Sequence, residues 1–146
     1  MAIEWGTKLG ARAQERLAAE RVAWLTTVTP DGQPQSMPVW FLWRPEASGG
    51  IGELLVYSHR AAIRNRNLRT NPRVAILLPD DGLADHFVSL DAEARIDEGF
   101  AQAEANPAYL DKYGDLLARY DWTPAYFSQQ YSVPILIRPT TLRGAP

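Results

Sequence analysis

Apolar positions recur at helical spacing near the start of the chain. In TKLGARAQERLAAE, residues 7–20, Leu9, Ala13, Leu17 and Glu20 fall in register with charged residues between them, which predicts a short amphipathic helix. The period then changes. VAWLTTVT, residues 22–29, is β-branched and aromatic, PDGQ reads as a turn, and PQSMPVWFLW resumes the extended pattern, so the two runs form a hairpin. Val39, Trp40, Phe41, Leu42 and Trp43 leave the second strand without a polar face. Such a strand is expected to be covered twice, by a barrel core and by a further layer. Pro38 within it cannot donate to a ladder, which places the strand at an edge or at an interrupted pairing.

After the loop ASGGIGE, the run ELLVYS (53–58) predicts a third strand, residues 61–70 a short helix, RVAILLP (73–79) a fourth strand and DHFVSLDAEARID (85–97) a fifth. The helix ends at Asn71-Pro72, because a residue preceding proline avoids helical backbone. Helical segments at about 98–105, 107–119 and 123–131 precede a last strand, PILIRPT (134–140). Strands fill the first two thirds and helices return late. The fold class expected is mainly β, a small antiparallel barrel with peripheral helices rather than a parallel α/β sheet. At 146 residues the chain suits one core, so a single domain over 1–146 is expected.

Composition removes several chemistries. There is no cysteine, hence no disulfide, thiolate or cysteine-ligated metal, and with only His59 and His86 no metal site is expected. The formal net charge of -2 argues against bulk nucleic-acid binding. No apolar run approaches the roughly 20 residues of a membrane span, and MAIEWGTKLGARAQ lacks the features of a signal peptide, so no membrane association and a cytoplasmic location are expected.

Against that near-neutral background, YSHRAAIRNRNLRTNPRV (57–74) carries Arg60, Arg64, Arg66, Arg69 and Arg73. On a helix Arg60, Arg64 and Asn67 share one face, with Arg66, Arg69 and Arg73 roughly opposite. The first group lies at the helix start, just after Tyr57 and Ser58, where free backbone N–H groups and the helix dipole favour an anion. A guanidinium there makes a phosphate or carboxylate clamp. The alternative is a set of solvated helix charges, which is the reading for Arg66, Arg69 and Arg73.

LTTVTPDGQPQSMPVWFLW (25–43), then YS, a basic residue eight positions before the proline of RNLRTNPRVAILL (66–78), and YSVPILIRPTTLRG (131–144) together resemble the pyridoxamine 5'-phosphate oxidase-like split β-barrel superfamily. The similarity is to its deazaflavin-dependent branch in particular. It runs from about residue 9 to residue 144. The resemblance implies a homodimer of split barrels with a flavin or deazaflavin groove at the subunit interface, a partnership to which the doubly apolar strand also points. It implies that the basic residue before the proline, here Arg64, holds the cofactor phosphate, with Arg60 in the connecting turn as a second anion contact. The branch usually has lysine at that position; arginine keeps the charge and adds a planar fork. The resemblance further places Ser36, Met37, Pro38, Val39 and Trp40 along the ring edge and leads through Tyr57 and Ser58 to the phosphate. Val39 and Trp40 serve equally well as core or interface packing.

The function implied is an F420-dependent oxidoreductase moving a hydride between reduced coenzyme F420 and a small-molecule acceptor, chemistry that belongs to the cofactor. FMN-dependent chemistry and non-catalytic binding of a flavin, deazaflavin or haem are the alternatives. Tyr126, Tyr131 and His86 are candidate proton donors, with no catalytic residue assigned. The aromatic C-terminal third, with Tyr109, Tyr113, Tyr120, Trp122, Tyr126 and Phe127, either lids the groove or anchors helices to the barrel.

Overall fold

A computed structural model describes residues 2–80 and 82–144. Seven strands form one antiparallel sheet: β1 (Val22–Val28), β2 (Pro34–Trp40), β3 (Leu42–Arg44), β4 (Glu53–Ser58), β5 (Arg73–Leu78), β6 (Val88–Ile96) and β7 (Val133–Gly144), in the order β2-β1-β5-β6-β7-β4-β3. β2 and β3 stand at opposite ends of that order, yet only Phe41 separates them in the chain. The sheet must therefore curl until its ends meet, and β2 contacts β4 across the opening. The result is a mainly β split barrel with four α-helices around it, as the sequence pattern implies.

The expected ten-residue strand 34–43 is broken at Phe41. Its backbone leaves the ladder and is held by a side chain instead: Phe41 N–H donates to Tyr113 Oη (2.8 Å), and Tyr113 Oη donates to Arg21 O (2.6 Å). Lys112 Nζ donates to Phe41 O (2.8 Å). A second difference lies at 98–105, where only a one-turn 3-10 segment, Ala103–Ala105, forms. Gly99 N–H is taken by Asp97 Oδ1 in a local turn, and Pro107 starts the next helix, which leaves no room for a longer one.

Helix α1 (Lys8–Ala19) is capped by Thr7 and buries Gly10, Ala13 and Leu17. Gly10 is needed because a Cβ there would meet Glu4 O at 2.4 Å. The remaining helices are α2 (Ile63–Thr70), α3 (Pro107–Arg119) and α4 (Pro124–Gln130). None is long and apolar enough to cross a membrane.

Two cores follow from strand alternation. Inside the barrel lie Leu25, Val39, Phe41, Trp43, Leu54 and Ile76 among others. Outside it, Leu55, Tyr57 and Leu136 meet Tyr109, Tyr113 and Leu117 of α3 and Phe127 of α4, with Trp40 and Leu42 packed against them. β4 is consequently buried at every position. The doubly apolar strand is thus covered twice, and its second cover is α3 and α4 of the same chain. That finding corrects one argument for a dimer, because no partner is required to explain those residues.

Candidate functional site

α1, α3 and α4 each begin with a side-chain cap, from Thr7, Asn106 and Thr123. α2 begins at Ala62, which offers none. Asn65 N–H turns back to Ala62 O (3.2 Å), which leaves the N–H groups of Ile63 and Arg64 without a side-chain cap, and Arg64 is the second residue of the helix. Arg64 is half-buried, and its Nη1 donates to Ser58 Oγ (2.8 Å) at the end of β4. Among the described residues no carboxylate lies within ion-pair distance of it, whereas Arg69 stands 4.0 Å from Glu98. Burial pushes the Arg64 guanidinium below its ordinary value, partly offset by the Tyr131 hydroxyl nearby. A desolvated cation without a counter-ion is costly to a fold and useful to an anionic ligand.

Two cavities meet at this side chain. One, of about 380 Å³, lies between β2, β4 and the α3–α4 layer, and is lined by Pro38, Val39, Trp40, Val56, Tyr57, Tyr109, Tyr120, Trp122, Phe127 and Tyr131 besides Arg64. Its wall includes a ring column, in which Trp40 stacks on Phe127 (5.9 Å, 15°) and Phe127 on Tyr131 (4.6 Å, 10°), while Tyr113 stacks on Trp40 (4.8 Å, 5°) from outside the cavity. The other, of about 390 Å³, runs past Leu25, Thr27, Gln35, Ser36 and Met37 to Ala62, Ile63 and Arg64, so the start of α2 faces it. Both lie within the size range of small-ligand sites. Together they follow β2, an end strand of the sheet order, from Gln35 to Trp40.

The structure brings most of the sequence-named residues together here. Pro38, Val39, Trp40 and Tyr57 line the aromatic cavity, Ser36 and Met37 the second one, Arg64 both, and Ser58 braces Arg64. The Ser36 hydroxyl shares a hydrogen bond with Thr26 Oγ1 (2.7 Å), and Tyr57 Oη donates to Ala101 O (2.7 Å). Two residues sit apart. Asn67 is buried, and its Nδ2 donates to Thr27 Oγ1 and Gln35 Oε1 (3.0 Å each), tying α2 to the β1–β2 hairpin. Arg60 is exposed, lines neither cavity, and its N–H donates to Gln130 O (2.9 Å). Of the candidate proton donors, only Tyr131 lines either of these two cavities; Tyr126 is exposed, and His86 sits beside Asp85 in the loop before β6, in a separate cleft with Arg16 and Glu20. Tyr113 anchors the strand break, while Tyr120 and Trp122 line the cavity instead of only packing helices. Val56, Gln35 and Ile63 were not expected at the site, because neither charge nor spacing marks them.

The sequence pattern of the pyridoxamine 5'-phosphate oxidase family matches residues 9–134, from α1 to the start of β7. The chain belongs to the pyridoxamine 5'-phosphate oxidase family. No curated protein sequence matches it. Among solved structures, this family member resembles an F420 reductase (24% identity, TM-score 0.62, covering 89% of this chain and 94% of the other). It also resembles the haem storage protein HutZ from Vibrio cholerae (20%, 0.60, 94% and 95%). A third likeness is to general stress protein 26 from Bacillus anthracis (20%, 0.64, 93% and 92%). At these identities the likenesses establish the fold, so the assignment of chemistry rests on the groove's own residues.

Proposed function

We propose that this protein is an F420-dependent oxidoreductase that transfers a hydride between reduced coenzyme F420 and a small organic acceptor. The observation that carries the reading is Arg64: a half-buried cation with no carboxylate partner among the described residues, braced by Ser58, beside an uncapped helix start, at the meeting point of two cavities. The residues present fit such a cofactor. Arg64, with Ser58 behind it and the first N–H groups of α2, would hold the phosphate. Ser36, Met37, Pro38, Val39 and Trp40 would border the ring system along the end strand β2, where backbone groups on the side away from β1 are free to bond a ligand. Tyr57 closes the phosphate side, Arg60 supplies a second positive charge outside the groove, and Asn67 holds β2 in place through Gln35.

When bound, the cofactor supplies a hydride from its central ring carbon. The chain's part is to orient an acceptor against that ring and to exclude water, which the aromatic cavity suits. One guanidinium matches a phosphodiester, as in F420, better than the monoester of FMN, which carries about -1.5 to -2 charge. The F420 reductase likeness and the order of motifs along the chain support the same choice. Val22, Trp24 and Leu77, exposed on the outer face of β1 and β5, are the apolar surface that a second copy would cover in a homodimer. Fluorescence titration with F420 and FMN side by side tests the reading: tighter binding of F420 is expected, and preference for FMN overturns it.

A further inference from the structure

Three buried tyrosines touch one another beneath the aromatic cavity, with ring centroids 4.8 Å apart for Tyr57–Tyr109 and for Tyr109–Tyr113. Two of them have their hydroxyls fully engaged. Tyr57 Oη donates to Ala101 O and accepts from Asn106 Nδ2 (3.1 Å); Tyr113 Oη accepts from Phe41 N–H and donates to Arg21 O. The third, Tyr109, is 0% exposed, lines the cavity, and has no hydrogen-bond partner for its hydroxyl among the described residues. Packing alone does not call for that oxygen. A phenylalanine would keep every ring contact and avoid burying an unpaired polar group. Burial also drives the Tyr109 phenol well above its ordinary value, so it stays protonated and is a standing donor.

We propose that Tyr109 is a ligand-binding residue, whose hydroxyl donates a hydrogen bond to a carbonyl-type oxygen of a flat, apolar ligand filling the cavity between β2, β4 and the α3–α4 layer. The chemistry of the cavity selects that class. Trp40, Tyr120, Trp122, Phe127 and Tyr131 offer ring faces and edges, and among the described residues no carboxylate lines it and the one cation, Arg64, sits where the two cavities meet. The inference rests on the proposed function only for the ligand's role, as the molecule on which the cofactor acts; the binding itself needs no cofactor.

The test is calorimetric titration of the protein and its Tyr109→Phe variant with 1,4-naphthoquinone and with naphthalene, which has the same rings and no oxygen. The chain has no cysteine, so quinone addition to a thiol does not interfere. Tyr109→Phe is expected to weaken naphthoquinone binding about tenfold, the loss of one hydrogen bond, to leave naphthalene binding unchanged, and to keep or raise the thermal midpoint. Equal naphthoquinone affinity in the two proteins, equal losses for both ligands, or no naphthoquinone binding by the unaltered protein each overturns the proposal. An F420 titration of the unaltered protein separates the two readings: no F420 binding sinks the proposed function while a naphthoquinone loss in the variant still supports Tyr109.

Discussion

Arg64→Ala removes the cation at the junction of the cavities, and the structure sets the size of the effect on both binding and stability. Among the described residues its guanidinium makes one hydrogen bond, to Ser58 Oγ, and no ion pair, so its other donors remain for a ligand. A hydrogen bond to a charged group contributes about 1.5 to 3 kcal/mol, which corresponds to a loss of roughly 10- to 150-fold in F420 affinity. Stability should respond differently. The substitution takes a donor from Ser58, which is 1% exposed, at a cost of about 1 to 3 kcal/mol. It also relieves the desolvation of an unpaired charge, an effect of opposite sign. The two offset, so the unfolding free energy should move by under about 1 kcal/mol while binding falls at least tenfold. Arg64→Lys, which keeps the charge, should recover most of the affinity. Arg69→Ala, an exposed residue 4.0 Å from Glu98, should change little. Fluorescence titration with F420 and urea unfolding of the same four proteins give the answer. Equal affinity losses at Arg64 and Arg69 would mean that α2 acts through diffuse charge. A large stability loss with unchanged affinity would make Arg64 structural.

Tyr113→Phe should cost about 1 to 3 kcal/mol in urea unfolding, because the buried Phe41 N–H loses its acceptor while the stack on Trp40 survives. Stability should rise with pH from about 8 toward 10, since burial holds the Lys112 ammonium down to about 8 against an ordinary 10.5 and the folded chain releases its proton first. Above about pH 10 the sign reverses: burial holds Tyr109 and Tyr113 protonated in the folded chain after the unfolded chain has ionised, so stability is lost as pH rises. Denaturation midpoints across that range should peak near pH 10, and Lys112→Met should abolish the rise but not the fall. Trp24→Glu, on the exposed face shared with Leu77, should shift the protein to a smaller species on a sizing column; an unchanged elution volume would remove that face from any interface.

Patterns confined to neighbouring residues carried the fold. Helical spacing at Leu9, Ala13 and Leu17 and the PDGQ turn are local, and both elements form where they are expected. The apolar run from Val39 to Trp43 showed that two layers were needed, because a strand sends alternate residues to opposite faces. It could not say which layer, and the cover proved to be α3 and α4 instead of a partner. The break at Phe41 was hidden for a related reason: it depends on a hydroxyl 72 residues away. At the site, Arg64 was legible from its charge and its place before Pro72, as were the β2 residues from their motif. Asn67 shows the limit of helical phase as a guide. It shares a face with Arg64 in sequence, yet its amide is spent on Thr27 and Gln35. The cavity-lining positions of Tyr109, Tyr120 and Trp122 follow from how α3 and α4 seat on β2 and β4, and aromatic composition alone reads the same for an anchor and for a cavity wall.

The most direct measurement is a crystal structure of the protein with F420 bound. The account predicts the cofactor phosphate within hydrogen-bond distance of the Arg64 guanidinium and the ring system beside Ser36 to Trp40. A phosphate seated elsewhere, with the Arg64 guanidinium turned to solvent or to a carboxylate, would contradict it.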